Sequence, residues 1–373
     1  MGQFERPRVL ITGPSLGAVS GVSTHLRQLL GSRLAQEFEL IHFQIGSEGR
    51  DESRVARLPR LLASFFVFAS ALVRDRPSLV HLNPSIGLKA FWRDLLYMLI
   101  AKLFGHKVIY QVHGGETPRE FFSGRLPGRF LQWVLELPDA VVVLGSIEKE
   151  AYERFCTFKR LAVVPNAIDI EPYETREKSL PSGTTRLVYI GRLIGDKGVF
   201  EALEALELIS GRQLERPQPI RFVIAGSGPA EEALRKRASS PPLAGKVEFV
   251  GPVFDEEKLE FWRQADIFVF PTYHREGLPY TVLESLASGT PLITTRTGNI
   301  PDAVEHGTHG LFVEPKSSAA VADALVQMLS APAQLQQMSI NCRRTARDRF
   351  TVDRLSCDLS VLYRDILDSS PGV

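Results

Sequence analysis

Cysteine is scarce in this chain: three among 373 residues, at positions 156, 342 and 357, with no CxxC spacing. An odd, scattered set builds neither a disulfide framework nor a thiolate metal cluster, and it fits a reducing compartment. An excess of one charge is missing too. Lys and Arg number 44 against 43 Asp and Glu, a formal net charge of +1, which argues against a nucleic-acid binder held by phosphate neutralisation. The longest uncharged apolar run, residues 61–73, has thirteen residues, too short to span a bilayer, which takes ~20. The opening residues Met1-Gly-Gln-Phe-Glu-Arg-Pro-Arg8 hold no apolar core segment and lead directly into a strand pattern. No signal peptide is therefore expected, and the protein reads as cytoplasmic. No DxD-like acidic pair stands out as a metal site.

What is present is an ordinary α/β composition, 44% hydrophobic and 23% charged, in a length that supports two domains with separate cores. Charge is uneven within it: residues 50–129 hold thirteen Lys and Arg against six Asp and Glu. Short β-branched runs alternate with longer amphipathic stretches. The first half predicts strands at 8–12, 38–43, 79–83, 107–113, 140–144 and 161–164. The second half predicts them at 186–190, 221–225, 246–250, 267–270, 291–294 and 310–313. Each half is a βαβ series, which requires a parallel sheet with helices on both faces. Residues 170–185 are polar, contain Pro and Gly and lack periodicity, so they read as the linker. The expected division is 1–175, 176–349 and a helical C-terminal segment 350–373. Two doubly wound domains facing each other form a cleft at the carboxyl ends of their strands, where ligands bind.

The most informative segment is Phe270-Pro-Thr-Tyr-His-Arg-Glu-Gly-Leu-Pro-Tyr-Thr-Val-Leu-Glu-Ser-Leu-Ala-Ser-Gly-Thr-Pro291. A strand runs into a loop with Glu276, and Gly277-Leu278-Pro279 then opens a helix carrying Glu284, with seven residues between the two carboxylates. Proline in the first helical turn and Gly289 past the end punctuate that helix. The N–H groups and positive dipole end at its start suit a phosphate or a sugar oxygen. Two carboxylates flanking an anion site suit a ligand with phosphates at one end and hydroxyls at the other, which is the shape of a nucleotide sugar. The spacing alone is weak, and a solvated loop Glu with a surface-helix Glu is the plain alternative. The Gly-Leu-Pro insert, the preceding strand and the following Ser-Gly-Thr-Pro make the pattern specific.

In Leu187-Val-Tyr-Ile-Gly-Arg-Leu-Ile-Gly-Asp-Lys-Gly198, Arg192 and Lys197 follow a strand end and precede a helix. There, a planar Arg fork and a Lys point charge can neutralise a diphosphate and could stabilise it as a leaving group. Gly191, Gly195 and Gly198 let the backbone approach closely. Two exposed loop cations without a ligand are the alternative. The segment Phe222-Val-Ile-Ala-Gly-Ser-Gly-Pro-Ala-Glu231 starts like a dinucleotide fingerprint. Glu231 replaces its third glycine, which disfavours a nicotinamide oxidoreductase.

In the first half, Gly21 ends a Gly-rich turn and precedes a helix expected at 22–34, whose N–H groups suit a phosphate. His113, in Tyr110-Gln-Val-His-Gly-Gly115, ends a strand. It suits a hydrogen bond to a sugar hydroxyl or a departing phosphate, against the alternative of a satisfied strand-end histidine. His25, His81 and His274 read as structural. Residues 54–76 form a basic, strongly apolar helix in which Arg54, Arg57 and Arg60 recur every three residues. It reads either as a sheet-covering helix with one cationic side or as a face that meets an anionic membrane and its lipid-linked acceptor. The first is the plainer reading; Phe91-Trp92-Arg93 and the apolar stretch 95–104 add weight to the second without deciding it.

On these motifs the chain resembles the family 4 retaining glycosyltransferases over nearly its whole length. The resemblance implies an α/β fold of GT-B architecture, two Rossmann-like doubly wound domains facing across a cleft. It implies an acceptor-binding first domain, a donor-binding second domain and a last helix crossing back to the first. It implies that Arg192 and Lys197 bind the donor pyrophosphate and that His113 lies near the donor sugar. Glu276 and the backbone of Gly277, Leu278, Pro279 and Tyr280 would hold the sugar, Glu284 the ribose, and backbone near Val253 the base. Gly21 and Gly191 complete the donor-binding set. The family commonly has Gly-Gly where this chain has Ser20-Gly21 after a longer loop, so that loop's role stays open.

The expected reaction is same-face sugar transfer to a hydroxyl, in polysaccharide, lipopolysaccharide or glycolipid synthesis. The nucleoside-diphosphate sugar is a co-substrate, with no cofactor and no metal. The expected partners are that donor, a sugar or lipid-linked acceptor and an anionic membrane surface at its cytoplasmic face, but no nucleic acid. A nucleotide-sugar epimerase or phosphorylase and a non-catalytic binding protein are the rivals. Arg192, Lys197, Glu276 and Glu284 together count against the last.

Overall fold

Alternation along the strands sorts the apolar side chains of each half onto two faces. The computed structural model describes residues 6–49, 53–84, 87–122, 124–174, 183–210 and 219–369. In the first half the strands are β1 (Arg8–Gly13), β2 (Glu39–Gln44), β3 (Leu79–Leu82), β4 (Lys107–Gln111), β5 (Ala140–Val143) and β6 (Leu161–Val163). In the second they are β7 (Thr185–Ile190), β8 (Ile220–Ala225), β9 (Val247–Gly251), β10 (Ile267–Phe270), β11 (Leu292–Thr294) and β12 (Gly310–Phe312). Each of the twelve expected strands overlaps one of these. Among the described residues they form two six-stranded sheets, ordered β2-β1-β3-β4-β5-β6 and β12-β11-β10-β7-β8-β9. Every pairing is parallel.

The first sheet buries Leu10, Val80, Leu82, Val108, Tyr110, Val141 and Val143 in one core. Phe68 and Leu72 of helix Arg54–Asp75, Phe91 and Met98 of helix Leu88–Leu103, and Leu131 and Val134 of helix Arg125–Glu136 complete that core. The alternate residues Val9, Ile11, Leu79, Ile109 and Val142 face a second core, with Leu26 and Leu29 of helix Gly21–Leu30. Leu355, Leu359, Leu362, Tyr363 and Ile366 of helix Val352–Asp368 close it. A strand buried on both faces reads as an unbroken apolar run, as in Ala140-Val-Val-Val143.

The chain falls into two compact units, Met1–Ala167 with Val352–Val373, and Ile168–Thr351. The expected first boundary, after residue 175, thus moves back to Ala167. Ile168 donates its N–H to Phe350 O at 2.7 Å and bridges Thr351, which ties the residues just before the expected linker to the second unit. Residues 175–182 of that linker lie outside the described residues. The helix expected at 22–34 is shorter, Gly21–Leu30: the Ser20 side chain accepts from Ser23 N at its start, and Gly31 ends it.

In each sheet the strand order reverses between two neighbouring strands. In the first the reversal lies between β1 and β3, and in the second between β7 and β10. In doubly wound sheets these are the points where ligands bind, beyond the carboxyl ends of the strands.

Candidate active site

In the second unit, β7 runs into Gly191-Arg192 and then the 3-10 turn Gly195–Lys197, which Gly198 closes at φ +76°. A Cβ on Gly198 would lie 2.2 Å from Pro271 O, in the loop that leaves β10. Only glycine lets the two loops touch there. Their contact brings Lys197 Nζ to 2.5 Å from Glu276 Oε1, with the two side chains 13% and 8% exposed. Thr272 Oγ1 donates to the same oxygen at 3.0 Å. Beside the pair, His274 Nδ1 lies 2.6 Å from Asp196 Oδ2. An ion pair this shielded from water is strongly coupled. A Lys ammonium has three donors and Glu276 engages one, so capacity remains for an anionic ligand.

The Glu276 backbone is fixed from a third loop. Gly298, after β11, has φ +56°, and a Cβ there would lie 1.9 Å from Glu276 O. Its neighbour Asn299 donates its N–H to Gly277 O at 3.1 Å. Helix Tyr280–Ser288 follows, with Gly289 in the left-handed conformation past its end. Pro279, expected in the first turn, stands one position earlier at the N-cap, where it supplies no side-chain cap. Leu278 is buried and anchors the turn.

Glu284 does not join Glu276. It is 5% exposed, on the buried side of the helix. Lys258 Nζ donates to its Oε1 at 2.6 Å and Trp262 Nε1 to its Oε2 at 3.0 Å. Both partners come from helix Asp255–Arg263, four residues apart on one side. Burial, with Glu284 nearby, pushes the Tyr173 phenol up. Sequence reasoning missed Lys258 and Trp262. Their only local signal is the i,i+4 spacing, which an ordinary exposed helix shows as well. Arg192 is exposed, and its carbonyl accepts from Tyr189 Oη at 3.1 Å. Gly191 donates its N–H to Ala225 O at 3.1 Å, at the end of β8. Val253 is half-buried in the loop after β9, the edge strand.

The remaining expected residues lie in the first unit. His113 Nε2 is 2.7 Å from Asn83 Oδ1, and Asn83 Nδ2 donates to Thr12 O at 3.0 Å. With the amide so oriented, Nε2–H of His113 is the donor, which leaves Nδ1 an acceptor in the neutral ring. This chain joins the ends of β1, β3 and β4 across the reversal point. Burial, then the neighbouring His81, push His113 down to about 3. His25, read as structural, packs edge-on to His113 with ring centroids 4.7 Å apart. Among the described residues neither of its buried ring nitrogens has a hydrogen-bond partner, and burial holds it well below its usual range. His81 keeps the structural role, its Nδ1 2.6 Å from Tyr363 Oη. Gly21 is the exposed first residue of its helix.

Helix Arg54–Asp75 covers the first sheet through Phe68 and Leu72, while Leu62, Phe66 and Val67 stay exposed. The side chains of Arg54 and Arg57 lie outside the described residues. Arg60 donates to Ser47 Oγ at 2.8 Å. Among the described residues no helix is long and apolar enough to cross a membrane.

Two doubly wound units, the second with a shielded Lys–Glu pair and a helix start at its strand-order reversal, define a two-domain Rossmann-like protein. The family model for glycosyl transferases group 1 matches residues 170–345, and that for glycosyltransferase family 4 matches residues 19–172. The chain belongs to the family 4 glycosyltransferases of GT-B fold. It is 29% identical over 294 residues to glycogen synthase of Mycobacterium tuberculosis, across 74% of this chain and 65% of that one. It therefore spans less than two thirds of that relative's length. Sucrose-phosphate synthase from Thermosynechococcus elongatus superposes with a TM-score of 0.78 at 20% identity, over 98% of this chain and 100% of that one. Anabaena HepE in complex with UDP-glucose gives 0.74 at 15% identity, over 96% and 99%. At such identities the likeness concerns the fold.

Proposed function

We propose that the chain is a retaining glycosyltransferase that moves a sugar from a nucleoside-diphosphate sugar to a hydroxyl of a sugar or lipid-linked acceptor. The synthesis of a polysaccharide, lipopolysaccharide or glycolipid is its setting. The observation that carries this reading is the Lys197–Glu276 pair, 2.5 Å apart at the strand-order reversal. A diphosphate and a hydroxyl-rich ring meet their complementary groups there side by side. HepE, with the same fold, holds UDP-glucose, which supports a donor of this class.

In the proposed reaction, the bond between the anomeric carbon and the phosphate oxygen breaks. The acceptor oxygen bonds to the same face of that carbon, and the acceptor proton passes to the leaving phosphate oxygen. Lys197 and Arg192 stabilise the charge that grows on the diphosphate, where preorganised cations act most strongly. Glu276 accepts from sugar hydroxyls. Glu284 accepts from the ribose through lone pairs that Lys258 and Trp262 leave unused, since a carboxylate offers about four acceptor positions. His113, as a neutral imidazole, is the proposed hydrogen-bonding partner of the sugar or departing phosphate. Val253 backbone meets the base, and Gly21 the donor from the first unit.

In this reading the protein cations Arg192 and Lys197 take the place of a metal ion at the diphosphate. Transfer is therefore proposed to proceed without a metal, with the protein at the inner face of the cytoplasmic membrane. A thermal-shift screen of nucleotide sugars identifies the donor, because a ligand of the native state raises apparent stability. With that donor and an acceptor, Lys197→Ala or Glu276→Ala should lower turnover about 100-fold or more while the protein stays folded. Product NMR should show the donor's anomeric configuration, and chelators should leave the rate unchanged. Full turnover in both variants, an inverted product or chelator-sensitive turnover would each overturn its part. Conversion of the donor without an acceptor would identify an epimerase instead.

A further inference from the structure

Helix Arg125–Glu136, in the first unit, carries three stripes. Gly128, Leu131, Val134 and Leu135 are buried inward. Leu126, Phe130 and Trp133 form a second stripe, with Leu126 80% and Trp133 47% exposed. Arg125, Arg129 and Gln132 recur at the same spacing one position earlier, so their stripe lies about 100° round the helix from the apolar one. With Arg119, Phe122 and Phe155 they line a pocket of about 340 Å³, and no carboxylate stands among its described lining residues. The apolar stripe continues onto helix Leu88–Leu103, where Leu88, Trp92 and Leu96 recur every four residues and are all exposed. Trp92 stacks on Phe130 with centroids 5.6 Å apart. Phe122 lies 6.4 Å from both rings and also lines the pocket, so arginines and apolar strip share an edge.

A contiguous apolar strip on a soluble surface marks an interaction site. Its partner must be apolar beside the tryptophans and anionic beside the arginines. Half-exposed Trp rings suit the boundary between lipid chains and headgroups, and arginine forks suit phosphate. We propose that this face docks on an anionic bilayer, with a lipid phosphate headgroup in the arginine pocket and Leu126, Trp92 and Trp133 entering the interface. The contact thereby moves from helix Arg54–Asp75 to a different surface. It rests on the transfer reading only for its use, the presentation of a lipid-linked acceptor.

Of the three tryptophans, Trp262 is fully buried, so a vesicle-induced emission shift reports Trp92 and Trp133. The full chain should co-sediment with phosphatidylglycerol–phosphatidylcholine vesicles, not with phosphatidylcholine alone, and its emission should shift to the blue. Arg125→Glu with Arg129→Glu should lower partitioning about tenfold or more. Arg125→Gln with Arg129→Gln is the milder pair should the first not fold, and Trp133→Ser should cut the emission shift. Three results would overturn the docking: no sedimentation with anionic vesicles, unchanged partitioning in the folded arginine variants, or a lipid-independent dimer that buries the tryptophans. Donor-induced stabilisation, measured on the same samples, separates the two readings. Its presence without vesicle binding ends the docking alone, and vesicle binding without it leaves docking intact and removes the transferase.

Discussion

Both oxygens of Glu284 are engaged, by Lys258 and Trp262, inside a helix face that is almost wholly buried. The spacing that singled this residue out gave no hint of those partners. A buried carboxylate that loses one of its two donors is costly, and with Lys258 itself 31% exposed, Lys258→Met should destabilise the second unit by about 1–3 kcal/mol. Adding Glu284→Gln removes the stranded charge and should restore much of that loss. Thermal unfolding of the single and double variants checks this; an additive loss would mean that the pair does not act as a unit. Glu276 and Lys197 were legible because glycines and a helix start surround both. Their direct pairing, across 79 positions of sequence, was not.

Loops between elements hold the site to its tolerance. Gly298 takes a left-handed φ and has no room for a Cβ beneath Glu276 O. Gly298→Ala should cost about 1–2 kcal/mol from backbone conformation alone. It should also push the Glu276 loop aside, abolishing donor-induced stabilisation even where the protein still folds. A variant with an unchanged donor response would show that the loop tolerates the shift.

The histidines at the carboxyl edge of the first sheet act as a group. Burial first pushes His81 down to about 4 and His113 to about 3, and His25 well below its usual range. Above pH 6.5, folded and unfolded states are both neutral at these sites. Below it, the unfolded chain takes up protons that the folded chain refuses, so stability falls with pH until the folded values are reached. Each group contributes up to about 1.4 kcal/mol per pH unit. Denaturant unfolding at pH 7.5 and 5.5 should therefore differ by roughly 4 kcal/mol for the first unit. His25→Leu should reduce that slope by about a third and leave stability at pH 7.5 unchanged or higher, because it removes two buried nitrogens that have no hydrogen-bond partner among the described residues. A slope undiminished by the substitution would show that His25 takes no part in the proton uptake.

At the scale of the whole molecule, the chain leaves the first unit at Ala167 and returns to it at Val352. The returning helix gives Leu355, Leu359, Leu362, Tyr363 and Ile366 to the core. At about 1.5–3 kcal/mol for each fully buried side chain, their loss is on the order of 10 kcal/mol, comparable with the stability of an entire domain. A chain ended after Thr351 should therefore keep a cooperatively folded second unit and lose the first. Limited proteolysis would show one protected fragment; protection of both units would refute the estimate.

The sequence by itself determined the twelve strands, the two doubly wound sheets, the loops in which Arg192, Lys197 and Glu276 stand, and the helix that carries Glu284. Those features come from local chemistry: a side-chain period of two along a strand, and glycine or proline where the chain turns. Tertiary structure alone decided which loops meet. β10 lies beside β7 rather than next to β9, its predecessor in sequence, and this places Glu276 against Lys197 while Glu284 turns to Lys258. It also decided that the apolar stripes of helices Leu88–Leu103 and Arg125–Glu136 join outside the core. Strand order and side-chain partners follow from burying both faces of a sheet at once, a condition on the folded chain that no short window of sequence contains.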